Sequence, residues 1–326
     1  MTQAATTPAA ASTVRPSLRD RLSRGGFSVL LLAVTYALAA LVNPKFVTWD
    51  SLRIQLTLAS FIGLIGIGQT LAILIGQIDL SVPWTLTFSA ILATNIYGQT
   101  GNLLLATLSA MAVGLLTGII NAVGVALFRI HSLIWTISMN LVLQGTTLVY
   151  ANTASPSNTI PALGKLLGGG SVGPIPGPVL IWFALTIVVI LVLMRTKFGR
   201  EIYALGNSEL ATLMSGTRPS AIYFCVFAIS GLCASLVGLL LTGFAGQTYL
   251  GMGDAYLLIP IAAVVLGGTS LSGGTGGYLG TFVGSIIVVV LDAVLVNIQV
   301  SQGLRQVLFG LIILAMMLLF RNRPAS

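Results

Sequence analysis

Charge is what this sequence has least of. Fifteen basic and seven acidic side chains are spread through 326 residues, and nearly all sit in short gaps between long apolar runs. That scarcity excludes a water-soluble globular domain, as does a mean hydropathy of +1.01 with 56% hydrophobic residues. Cysteine supplies only Cys225 and Cys233, eight apart in one expected helix. Along that helix they stand about 12 Å apart, too far for a disulfide. The single histidine, His131, has no second ligand near it, so no metal site is expected. No Gly-x-x-x-x-Gly-Lys-Ser/Thr loop occurs, so the chain does not by itself cradle ATP in that way. The Ser- and Gly-rich stretch 267–277 has no histidine close in sequence, which argues against a membrane serine hydrolase. The net charge of +8 forms no contiguous basic face, which excludes a nucleic-acid partner. The composition calls for no cofactor.

Long apolar runs are what remain. An unpaired backbone polar group in lipid costs several kcal/mol, so a crossing needs about 20 mostly apolar residues in a helix. Runs meeting that demand lie at 27–43, 53–76, 83–98, 102–128, 131–150, 178–195, 220–244, 256–270, 277–298 and 303–320. The expected fold is therefore all-α, a polytopic membrane protein of about ten transmembrane helices. With the N-terminus inside, eleven basic residues fall in inner loops, and only Lys45, Arg53, Lys165 and Arg305 fall outside. The positive-inside rule then makes both termini cytoplasmic. Residues 1–24, rich in Ala, Thr and Ser and ending in a basic cluster, read as a disordered cytoplasmic tail. A cleaved signal peptide is the rival reading there, with Ala37-Leu38-Ala39 as the cleavage site, but its n-region is unusually long. The rest, 25–323, reads as one transmembrane domain.

Glycine is abundant, at 37 residues. Gly114, Gly118 and Gly124 in one helix, and Gly276, Gly280 and Gly284 near another, have the spacing that lets helix backbones approach closely. Polar residues inside spans cost free energy unless paired or hydrated, and so mark a substrate path. Asp292 is the outstanding case, with Asn297 close behind it. Asn140 and Gln144 share one helix face at i, i+4, and Gln69 and Asn121 complete the set. Interhelical hydrogen bonding is the alternative for the amides, and capping of the third helix explains Asp79. Few buried charges suit a neutral, hydroxyl-rich cargo.

The most charged inner loop is 196–219. Within it Ser208 is placed to N-cap a short helix, 209–215, with Glu209 in the first turn and Gly216 at C′. Leu210, Leu213 and Met214 form an apolar stripe on that helix. At roughly 10 Å it cannot cross a membrane. It either lies flat on lipid or docks in a groove of a partner.

Three stretches carry a family likeness. Gly68-Gln69-Thr70 with Gly76-Gln77-Ile78-Asp79-Leu80-Ser81 is one. Ala204-Leu205-Gly206-Asn207-Ser208-Glu209 with Leu213-Met214-Ser215-Gly216 is the second. Gly267-Gly268-Thr269-Ser270-Leu271-Ser272-Gly273-Gly274 is the third. In order and spacing, over about 40–320, they resemble the permease subunits of ribose/xylose/arabinose-type sugar ABC importers. Gln77 and Pro83 depart from that pattern, which has glycine at both positions.

The resemblance implies a type II importer-like permease in the bacterial inner membrane, importing a pentose, hexose or related polyol. It implies three protein partners: a cytosolic ATP-binding subunit, a periplasmic substrate-binding protein and a second permease copy. Coupling to the ATPase is then expected at Glu201, Tyr203, Ala204, Gly206, Asn207, Glu209, Leu210, Leu213, Met214 and Gly216. Helix breaks are expected at Gly76, Asp79, Ser81, Gly267, Gly268, Gly273 and Gly274. From the residues alone, an ion-coupled secondary transporter and a non-transporting scaffold or receptor stay open.

Overall fold

The computed structural model describes residues 18–153, 159–161, 171–172 and 175–320. The chain enters through α1 (Leu18–Val42), α2 (Trp49–Leu74), α3 (Val82–Thr100) and α4 (Leu103–Ala122). A π-helical turn, Val123–Leu127, ends α4, and α5 (Ser132–Thr153) follows. A two-residue antiparallel pair, β1 (Ser171–Val172) and β2 (Ile175–Pro176), leads into α6 (Gly177–Arg195). Two short helices come next, α7 (Lys197–Asn207) and α8 (Glu209–Met214). The chain finishes with α9 (Pro219–Ala245), α10 (Ile259–Leu266), α11 (Tyr278–Asn297) and α12 (Gln302–Phe320).

α2 is the axis of the bundle. In its most apolar window 89% of residues are buried, against 22% in α5 and α6. α9, α11, α6 and α10 pack around it. Gly63 of α2 admits the Trp182 indole from α6, where any Cβ would collide with the ring. The Trp182 Nε1–H donates to the Tyr278 hydroxyl, which donates to the Gly63 carbonyl, each at 2.8 Å. α4 lies equally close to α9: a Cβ at Gly114 or Gly118 would strike the carbonyl of Gly231 or Phe227. The contacts of Gly114 and Gly118 are the close backbone approaches that the glycine spacing foretells.

The outward faces of α4, α5 and α6 are apolar, with Leu104, Leu116, Ile134, Leu141, Val149, Phe183 and Val188 all more than half exposed. A contiguous apolar belt of this size is a surface for lipid, not for water. Among the described residues six helices are long and apolar enough to cross a membrane: α2, α4 with its π turn, α5, α6, α9 and α11. The protein is an all-α, multi-pass membrane protein.

Two details differ from the sequence reading. The apolar run 256–270 is not one span. It is a 3-10 turn, Asp254–Tyr256, followed by the eight-residue α10, about 12 Å long. Left-handed Gly268, Gly273, Gly274 and Gly276 prevent the helix from continuing. At the other end of the chain, α1 begins at Leu18, inside the stretch 1–24 expected as a disordered tail. Leucine and arginine in that stretch are good helix formers and extend α1 backwards. Residues 1–17 lie outside the described residues.

Candidate functional site: two chain breaks and the loop docked on them

α2 stops at Leu74, and Gly76 turns the chain with φ +73°, a conformation open to glycine at little cost. Residues 77–81 then run without regular secondary structure back into the bundle. Their depth is set by Gln69, five residues before the end of α2. Its amide bonds both the N–H and the carbonyl of Asp79, so Asp79 lies roughly 7 Å inside the helix end. Irregular backbone at such depth persists only where protein satisfies its polar groups.

Each N–H of this break has a partner. Gln77 donates to the Ala72 carbonyl at 2.9 Å. Ile78 donates to Ser132 Oγ at 3.2 Å and Leu80 to Thr136 Oγ1 at 2.9 Å. Asp79 donates to Gln69 Oε1 at 3.5 Å, and Ser81 to Asp79 Oδ1 at 3.0 Å. At the start of α3, Trp84 N–H donates to Asn140 Oδ1 at 3.2 Å. Ser132, Thr136 and Asn140 are four apart, so one face of α5 forms a ladder along the break.

On the other side of the break the Asp79 carboxylate, 1% exposed, reaches α4 and α9. Its Oδ1 accepts from Ser81 Oγ at 2.6 Å and from Asn121 Nδ2 at 3.4 Å. Its Oδ2 accepts from Ser230 Oγ at 2.7 Å. Asn121 Nδ2 also donates to Ser81 Oγ at 2.8 Å. Asp79 does not cap the third helix as expected: the N-cap is Ser81, and Asp79 bonds that residue's N–H and hydroxyl while its other bonds reach α4 and α9. Of the expected path residues, Gln69 and Asn121 are brought together here, and Asn140 stands across the break from them.

The second break follows α10. Gly274 N–H donates to the Leu74 carbonyl, the last of α2, at 2.9 Å. That bond satisfies a carbonyl the helix end leaves orphaned. Gly206 of α7 lies over this bond, where any Cβ would collide with Leu74 O and crowd Gly274 N. Beside it Asn207 Nδ2 donates to the Tyr203 carbonyl at 2.7 Å and reaches Gly274 O at 3.5 Å. Tyr203 Oη donates to Gly276 O at 3.0 Å. Gly267 packs on Gly280 of α11 with no room for a side chain. The three stretches that carry the family likeness thus meet at one end of the bundle.

α8 is the most exposed element there. Ser208 Oγ accepts from Ala211 N–H at 3.2 Å as N-cap, and Gly216 takes φ +79° after the C-cap. Thr212 is buried against the protein. Leu210, Leu213 and Met214 point outward, 65%, 57% and 80% exposed. Arg129, itself left-handed at φ 57°, ion-pairs with Glu209. That hydrogen bond and the carboxylate charge push the guanidinium further above its ordinary range. Glu201 pairs with Lys197 at 3.4 Å, and Ala204 is exposed.

The remaining expected path residues sit elsewhere. Asp292 is roughly 21 Å along α11 from Tyr278, at the far end, and both its oxygens accept from Arg305 Nη1 at 2.8 Å. Asn297 is exposed, and Gln144 is half-buried on α5. Ser132, Thr136 and Ser230 escaped sequence reasoning. For the first two the signal was present, as hydroxyls at i and i+4 leading to Asn140. For Ser230 no local signal exists, because its partner is 151 residues away.

The two departures from the family pattern fit locally. The left-handed residue is Gly76, so Gln77 needs no glycine. Pro83 falls in the first turn of α3, where no intrahelical N–H is lost.

The family described as "Branched-chain amino acid transport system / permease component" matches residues 52–319. The ribose import permease protein of Escherichia coli (strain K12) is 36% identical over 291 residues, covering 88% of this chain and 90% of that protein. Its counterpart in Bacillus subtilis (strain 168) is 32% identical, covering 90% and 92%. The D-allose transport system permease protein of Escherichia coli (strain K12) is 29% identical, covering 89% and 90%. No solved structure matches the chain. A match across nearly the whole bundle, with three motifs folded into one junction, settles the assignment: this chain belongs to the branched-chain amino acid transport system permease component family.

Proposed function

We propose that this chain is the membrane-spanning subunit of an ATP-driven, binding-protein-dependent importer of a small sugar or related polyol. In this reading it lies in the bacterial inner membrane with both termini and the loop 196–219 in the cytoplasm. Two copies of the domain 25–323 enclose the path. A periplasmic binding protein delivers cargo at the end that carries Asp292 and Asn297. The α5 face with Asn140 and Gln144 offers amides to a hydroxylated cargo, and Gln69 and Asn121 hold the break behind it.

The observation that carries the reading is α8. It is a capped helix whose apolar stripe faces outward, attached through α7 to the ends of α2 and α11. A cytosolic ATPase gripping Leu210, Leu213 and Met214 would move both breaks directly, without an intervening flexible segment. The chemistry of hydrolysis belongs to that partner, and this chain supplies the lever.

The test is purification from native membranes in mild detergent. A P-loop ATPase should co-elute with the wild-type chain and be lost with Met214→Asp, while the variant still folds. A chain that elutes without a partner, under conditions that hold a known importer together, would overturn the reading.

A further inference from the structure

The junction around Asp79 holds an imbalance that its hydrogen bonds do not remove. All donors to the carboxylate are neutral: Ser81 N–H, Ser81 Oγ, Asn121 Nδ2 and Ser230 Oγ. The ion pairs among the described residues are Arg129–Glu209, Lys197–Glu201 and Arg305–Asp292, and none includes Asp79. A buried carboxylate without a compensating positive charge is costly. Beside it, Asn121 is 0% exposed, and its Oδ1 has no hydrogen-bond partner. That oxygen belongs to the carboxamide whose nitrogen contacts both Ser81 and Asp79. An unbalanced negative charge and an unused lone pair therefore belong to one hydrogen-bonded cluster.

We propose that this place binds sodium, held by the Asp79 carboxylate, the Ser81 and Ser230 hydroxyls and Asn121 Oδ1. One cation answers both deficits. A water would satisfy the amide oxygen but not the charge, and a proton on Asp79 would remove the charge but leave the amide. The donor set is all oxygen, which selects a hard ion. One carboxylate balances one positive charge, whereas calcium or magnesium sites draw on more carboxylates or several waters. Serine hydroxyls can donate to Asp79 and present lone pairs to the ion at the same time. α2 and α9 touch where Gly68 meets Ser230, and that close packing favours sodium over the larger potassium. Interrupted helices in membranes are a physical setting for such sites, because irregular backbone there faces no competing water.

The site needs neither cargo nor ATPase, so its test is separate from that of the transport reading. The full-length chain in detergent micelles is melted in sodium, potassium or choline chloride at equal ionic strength, and binding of radioactive sodium is counted. Sodium alone should raise the melting temperature by several degrees and saturably, with one ion bound per chain. Asp79→Asn should abolish both signals, and Ser230→Ala should weaken apparent affinity about 10-fold or more. If Asp79→Asn does not fold, Ser230→Ala decides. Equal melting in sodium and choline would overturn the proposal, as would sodium binding unchanged in the folded variants. A stabilisation that follows pH and ignores sodium would assign the site to a proton and overturn it too.

Discussion

At the break 75–81, side chains from α2 and α5 reach in to hold the main chain. At the break 267–277, glycines in left-handed conformations let main chain hold main chain, with Gly274 on Leu74 and Gly206 pressed against both. The two lie side by side at one end of the bundle, yet they are vulnerable to opposite changes. The first fails when a polar atom is removed, because a buried N–H is left without a partner. The second fails when an atom is added, because at Gly206 and Gly267 what stands in the way is backbone. One end of a membrane protein thus contains a polar joint and a steric joint, and a single substitution tells them apart.

The steric joint should give the largest effect. Gly206→Leu drives a side chain into Leu74 O and Gly274 N and should cost about 3 kcal/mol or more, read as a large fall in melting temperature in micelles. Gly145→Ala, with nothing within 4 Å of the added Cβ, should stay within about 0.5 kcal/mol of wild type. Equal behaviour of the two variants would mean that α7 is not docked on the breaks. The polar joint comes next. Thr136→Val strands the Leu80 N–H and should cost about 1–3 kcal/mol, while Thr136→Ser restores most of it. If valine is tolerated as well as serine, the α5 ladder does not hold the break. Tyr203→Phe, which removes the bond to Gly276 O at the edge of the steric joint, should cost no more than about 1 kcal/mol. Smallest of all is Arg129→Ala at the exposed pair with Glu209. Its shift in melting temperature should be near the limit of measurement and vanish in molar salt.

Much of the fold was legible because membrane spans announce themselves along the chain. α2, α5, α6, α9 and α11 start and stop within a few residues of the apolar runs. α8 was legible for a different reason: Ser208, Glu209 and Gly216 state its cap and its end locally. The polar joint was not legible, because Asp79 finds partners 42 and 151 residues away, on α4 and α9. The partner of Asp292 was hidden for a different reason. Hydropathy along α11 registers a charge among apolar neighbours, whereas the compensating Arg305 lies 13 residues on, across the turn to α12. A window of sequence sees what precedes and follows a residue and misses what packs beside it.

The order in which the chain is made gives the break 75–81 a further consequence. Translation delivers Ile78 and Leu80 to the membrane 54 and 56 residues before the hydroxyls that accept their hydrogen bonds. Ser230 arrives 151 residues after Asp79. Until α5 and α9 are in place, α2 and α3 form a hairpin whose turn has lost water and not yet found protein, a state that lipid penalises. The early helices must therefore wait, at the mouth of the insertion machinery or with the turn drawn out to the aqueous face. A ribosome-released fragment ending after α3 should be cleared by proteases far faster than one ending after α9.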